Sequence, residues 1–183
     1  MFGKLSNATV KNVTVKDAVI KAYYSSGAIV GSVSSSTLEN CHAVGVDICA
    51  DYRDAGGIAG LVRGNTVLRL CTSSGKIYAN EYSGGISGGS PLKIEYCMST
   101  ATVLAGKTSN EYSAGIANGA GNMHSCIYLG NKVTSGYAIS GTVQMDSSNI
   151  SNCWYNSSTK TVFVAVVATK VQKKSMEYIR LTT

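Results

Sequence analysis

Two sets of residues in this 183-residue chain have types and spacings that could do chemistry: six cysteines, and a recurring pair of an acidic residue and a tyrosine. Five of the cysteines, Cys41, Cys71, Cys97, Cys126 and Cys153, share one local setting. Three residues before each stands an apolar side chain: Leu38, Leu68, Ile94, Met123 or Ile150. Thiols can form disulfides, bind a soft metal, react, or fill a core as small hydrophobes. Zinc sites ask for paired spacings such as C-x2-C, and the sequence has none. Stacked strands would put equivalent cysteines about 4.8 Å apart, inside the ~4.4–6.8 Å range of a disulfide. Five is an odd set, however, and an inward-facing ladder of free thiols is the simpler expectation. Cys49 lies outside the ladder and is the expected outlier thiol.

The acidic pairs are Asp51-Tyr52, Glu81-Tyr82 and Glu111-Tyr112, at intervals of 30 residues. Stacked carboxylates repel one another unless a cation such as calcium intervenes or they splay into solvent. Solvent-exposed turn carboxylates are the plainer expectation. The tyrosines either cover a corner by packing or present a column to a sugar, and packing is the plainer outcome. These six residues form the possible surface interaction column. Nothing calls for a cofactor or a resident metal. The other acids (Asp17, Glu39, Asp47, Asp54, Glu95, Asp146 and Glu177) fall at inequivalent places, and only His42 and His124 could serve as imidazole bases. Gly85-Ile86-Ser87-Gly88-Gly89 has the letters of a nucleophile elbow, but repetition explains it better than catalysis. The expectation is a non-enzyme.

The elements that position these residues are themselves repeated. GAIVG at 27–31, GGIAG at 56–60, GGISG at 84–88, AGIANG at 114–119 and YAISG at 137–141 align on Ile29, Ile58, Ile86, Ile116 and Ile139. A cysteine follows each isoleucine, and a third apolar position (Val46, Ile77, Val103, Val133) follows the cysteine. From there a two-residue alternation runs on, which is the strand period. Each unit therefore holds three short strands between Gly/Ser/Asn-rich turns, and it buries its apolar face only by stacking on a neighbour. The expected fold is all-β: a right-handed parallel β-helix, or β-solenoid, of about six coils of ~28 residues, the hand following the general crossover preference.

The first 24 residues fit as a partial unit. Val10 and Val13 take the Leu38 and Cys41 positions, Val19 the third strand, and Tyr23 or Tyr24 the closing tyrosine. Phe2-Gly3-Lys4-Leu5 matches Val30-Gly31-Ser32-Val33. Met1 then falls inside a strand, so the repeats at 1–159 are expected to continue a longer parent chain and to have its other domains as partners. Residues 160–183 are expected to cap the open end, with an apolar strand near Thr161 to Ala168 and a short helix over Gln172 to Arg180.

Composition agrees. Gly is abundant (20), Pro nearly absent (1) and charge low (14%). The net charge of +6 is spread over both ends, including Lys4, Lys11, Lys16 and Lys21 at one and Lys173, Lys174 and Arg180 at the other. Nucleic-acid binders gather such charge on one face among aromatics, so no nucleic-acid partner is expected. No apolar run approaches the ~20 residues of a membrane span, and no membrane insertion is expected.

The pattern resembles the GLUG motif, named for its Gly-Leu-x-Gly core. The matching stretches are GGIAGL at 56–61, LENCHAVGV at 38–46, ISNCWYNS at 150–157 and the opening FGKLSNATVKNVTV. Isoleucine replaces the motif's leucine throughout, and asparagine precedes cysteine only at Asn40 and Asn152. The resemblance implies a module of a large bacterial cell-surface or secreted protein, extracellular and adhesin-like, that meets a host or bacterial surface protein or a glycan. It supplies no active site. The alternative from a different class is an accessory or catalytic domain of a carbohydrate-active β-helix enzyme.

Overall fold

A computed structural model of the chain describes residues 1–106, 113–141 and 150–156 with their side chains (that of residue 135 apart), and the backbone of 160–163 and 172–174. Among the described residues there is no helix. Parallel strands stack as a β-solenoid of about five turns with ~28 residues per turn.

Three faces make each turn. Face B is the most regular. Thr9–Lys11, Thr37–Glu39, Val67–Arg69, Lys93–Glu95, Asn122–His124 and Ile150–Ser151 pair in sequence order. Its inward column is Val10, Leu38, Leu68, Ile94, Met123 and Ile150, at steps of 28, 30, 26, 29 and 27 residues. Face C is the broad 15-stranded sheet, entered by Thr14–Lys16 after Val13 and directly after each ladder cysteine by His42–Ala50, Thr72–Ala79, Met98–Ser99, Ile127–Tyr128 and Trp154–Asn156. Face A holds only Phe2–Ser6, Val30–Ser34 and Ala59–Arg63.

The corners explain the polar punctuation. Asn12, Asn40, Leu70, Tyr96, Ser125 and Asn152 all lie at φ between 50 and 57°, between face B and face C. Only a left-handed residue turns the chain this sharply, and asparagine tolerates it best after glycine. Asn7, Ser35 and Gly64 do the same between faces A and B, at φ of 50, 46 and 59°.

The glycine-rich stretches form a narrow arch. The chain leaves face C along Ser25–Gly27, Asp54–Gly56 or Tyr82–Gly84, turns at the isoleucine and returns along face A. The two arms lie so close that only backbone fits between them. A Cβ at Gly56 would collide with Ala59 and Gly88, one at Gly60 with Ser26, and one at Gly84 with Ser87. This close approach, rather than a turn conformation, is why glycine stands there. Ile29, Ile58, Ile86, Ile116 and Ile139 stack at the arch tip and are buried, each lower N–H donating to the C=O of the isoleucine above.

Several expected positions shift. The third apolar column is Ile20, Ile48, Ile77, Val103 and Val133, not Val46, because an irregularity between Ser73 and Gly75 sets Gly75 opposite Val46 and Ile77 opposite Ile48. Val19 faces outward for the same reason of strand parity and is 71% exposed. At the far end, Gln172–Lys174 is a strand rather than the start of a helix. It pairs with Trp154–Asn156 and so satisfies a ladder edge that a helix would leave open. Lys160–Phe163 pairs with Lys132–Tyr137. The remainder of 160–183 lies outside the described residues.

Candidate functional site

The five ladder cysteines stand in one inward column. All are free thiols and buried. Each sits one residue past the left-handed corner, and this aims its sulfur back along the corner carbonyls. Cys71 Sγ donates to Arg69 O at 3.2 Å, Cys97 Sγ to Glu95 O at 3.3 Å and Cys126 Sγ to His124 O at 3.4 Å. Burial pushes Cys97 well above the ordinary thiol value, and its hydrogen bonds with Cys126 and Cys71 act in the same direction. A buried thiol column whose sulfurs donate to nearby carbonyls packs as part of the core. Cys49 lies outside it, half-buried, with Sγ 3.3 Å from Asp51 Oδ1. Burial raises its pKa first, and the Asp51 carboxylate adds to the rise.

The acid–tyrosine column does not form in the expected register. Tyr52 N–H donates to Tyr23 O, whereas Tyr82 N–H donates to Arg53 O and Tyr82 stands over Asp54. Asn80, not Glu81, follows Asp51's place, since Ala50 pairs with Ala79. The cause is one extra residue. The loop before the arch is Tyr23-Tyr24 in the first turn, Asp51-Tyr52-Arg53 in the second and Asn80-Glu81 in the third. Glu111 and Tyr112 lie outside the described residues.

Two features that the letters alone do not show lie beside this loop. The first is a tyrosine platform. Tyr23 and Tyr52 stack with centroids 5.6 Å apart and planes 8° from parallel, and Tyr24 meets both edge-on. Tyr23 and Tyr24 are each 62% exposed.

The second is a groove of about 490 Å³ at the mouth of the arch. Arg53, Asp54 and Tyr82 form one wall, Leu61 to Gly64 the other, and Gly88 to Ser90 with Asn118 close it. The groove exists because face A stops. From Ile58 to Leu68 the chain has ten residues, but only eight from Ile86 to Ile94 and seven from Ile116 to Met123. Later turns therefore touch face A only through the bridges Ala59↔Ser87, Ser87↔Ala117 and Ala117↔Ser140.

Asp54 is the most perturbed carboxylate of the groove. It is 2% exposed and accepts from Ser25 Oγ at 3.4 Å. Burial raises its pKa to about 6, against the opposing pull of Arg53. Arg53 Nε lies 3.9 Å from Asp54 Oδ2 and 3.8 Å from Glu81 Oε2, beyond hydrogen-bond reach of either. The guanidinium carbon of Arg53 stands 6.0 Å from the Tyr82 ring centre.

Face B carries a second pattern outside the sequence expectations. One residue past each inward apolar side chain, Lys11, Glu39, Arg69, Glu95, His124 and Ser151 stack in register. Glu39 bridges Lys11 at 2.9 Å and Arg69 at 2.7 Å. These hydrogen bonds, Lys11 first, hold its carboxyl below the usual value. The signal was present in the sequence as a polar residue always following the apolar ladder position.

Among the described residues no group of three or more His, Cys, Asp or Glu could hold a metal ion. Fold and site together define a repeat solenoid with a buried thiol spine and a polar groove at a break in the repeat. No family profile and no curated protein sequence matches this chain.

Proposed function

We propose that this chain is a non-catalytic structural and adhesive repeat module of a bacterial cell-surface or secreted protein, a member of the GLUG-like solenoids. The observation that carries the reading is how the repeat uses its residues. Isoleucine, leucine and cysteine columns run unbroken through the stack and are buried. What remains outside is a rigid, elongated surface that bears an aromatic platform and a groove. Extended repeat bodies present such surfaces to partners. The test is adhesion: beads coated with the folded chain should be retained on epithelial or bacterial cell layers above beads coated with an unrelated β-protein. Equal retention would overturn the adhesive part.

One observation favours the enzyme alternative: Asp54, a buried acid of raised pKa, lines a groove beside an arginine and a tyrosine. The second carboxylate nearby, Glu81, lies against Arg53 and does not line the groove, so the two acids do not flank it as glycoside hydrolysis requires and the non-catalytic reading stands first. Prolonged incubation with a polysaccharide panel separates the two. New reducing ends, or the ultraviolet absorbance of unsaturated products, would establish the enzyme.

A further inference from the structure

We infer that the groove at the arch mouth is a binding site for a neutral glycan, with Tyr23, Tyr24 and Tyr52 as the stacking surface that leads into it. The inference deepens the adhesive reading and rests on it.

Size comes first. About 490 Å³ lies within the range of ~300–1,000 Å³ for small-ligand sites. It suits one or two pyranose rings.

Hydrogen-bonding capacity comes second. Arg53 Nε is buried and has no hydrogen-bond partner among the described residues, and the same holds for Asn118 Oδ1 at the groove's edge. Arg63 is exposed and makes no ion pair among the described residues. Buried polar groups are almost always satisfied, so orphaned ones ask for an explanation. Asp54 accepts and Arg53 donates from positions 3.9 Å apart. Adjacent sugar hydroxyls, each able to donate and accept, match such a pair better than an apolar ligand does.

Charge sets the class. Arg53 and Arg63 line the groove with Asp54, and Glu81 Oε2 lies 3.8 Å from Arg53 Nε just outside that lining, so the arginines are largely offset and the site does not select a polyanion.

The aromatic platform comes third. Tyrosine offers an apolar ring face and a polar tip, which suits the C–H face of a pyranose. Tyr52 immediately precedes Arg53 in the chain, which puts the platform next to the loop that carries the groove's Arg53.

The test uses the full chain on a printed array of neutral and acidic oligosaccharides. The tightest neutral hit is then titrated calorimetrically, with an expected Kd on the order of 0.1–1 mM for so small a contact. Tyr52→Ala and Arg63→Ala alter exposed side chains. Each should weaken that hit about tenfold or more with the melting temperature unchanged, while Lys16→Ala on face C should change nothing. Binding that survives both variants overturns the inference, as does binding confined to acidic sugars and abolished by salt. If no sugar binds while coated beads still adhere to cells, this inference falls and the adhesive reading stands. If the beads also fail to adhere, both fall.

Discussion

The corner that carries the cysteines and the arch that carries the glycines are both repeated, yet only the first repeats faithfully. Between faces B and C every described turn keeps the same sequence of events: apolar residue, polar residue, left-handed residue, then a thiol, or Val13 in the first turn. Its backbone groups pair from turn to turn, and its apolar ladder residues and thiols point inward. At the arch the chain gains one residue before the second turn and loses two or more after the third. There the unpartnered polar atoms, the perturbed aspartate and the exposed aromatics collect. Regularity satisfies hydrogen bonds turn by turn, and a departure from it leaves groups that another molecule can satisfy.

The sharpest way to break this contrast is at the arch itself. Gly84→Val places side-chain atoms into the Ser87 backbone, which cannot retreat without separating the arms. The expected loss is about 3–5 kcal/mol, read from a shifted denaturant midpoint. A loss under ~1 kcal/mol would mean the arms are looser than described.

The thiol column is tested by reactivity. In the native protein Cys49 should label fastest with an aromatic disulfide reagent, and the five ladder cysteines should wait for unfolding, slower by roughly a thousandfold or more. Fast labelling of three or more would show that the column is open. Cys97→Ala should cost about 1–2 kcal/mol for the lost packing.

Asp54 ties stability to pH. Its folded pKa of about 6 stands above its unfolded value of about 3.9, so the folded state holds this proton more tightly. The contribution is complete below the unfolded value and is lost as pH rises through about 6. With allowance for solvent at the groove, Asp54→Asn should raise stability at pH 7 by about 1–2 kcal/mol. It should also flatten the melting temperature between pH 4 and 6, and an unchanged profile would place the carboxylate in water.

The smallest effect concerns the faithful corner. Leu70 occupies a left-handed position at φ 55° and is 46% exposed. Leu70→Asn should stabilise by about 0.5–1 kcal/mol by relieving that strain, whereas Asn40→Leu should destabilise by a similar amount. Equal melting temperatures would argue against strain at the corner.

This contrast also explains what was legible in the sequence. Isoleucine, cysteine and the apolar position before it could be aligned by eye, because each column draws on few residue types and is buried in every turn. Val46 was misplaced because an irregularity at Gly75 shifts the register inside a strand, where the letters still alternate. Asp51-Tyr52 and Glu81-Tyr82 look equivalent as letters. The hydrogen bonds instead place Tyr52 on Tyr23 and Tyr82 on Asp54, and one inserted residue separates the two alignments. Arg53, Asp54 and Arg63 carry no sequence signal, since they meet only where face A ends. The salt-bridged column on face B was within reach, one residue past a ladder already seen.

That column has a consequence for how the chain finds its fold. Lys11, Glu39, Arg69 and Glu95 alternate in sign from one turn to the next. A chain of near-identical units can mispair by skipping one, laying the first turn on the third. Such an error would set Lys11 against Arg69 and Glu39 against Glu95. The alternation thus acts as a parity check: correct neighbours attract, skipped neighbours repel, and the penalty falls on misassembly that the shared apolar columns cannot detect.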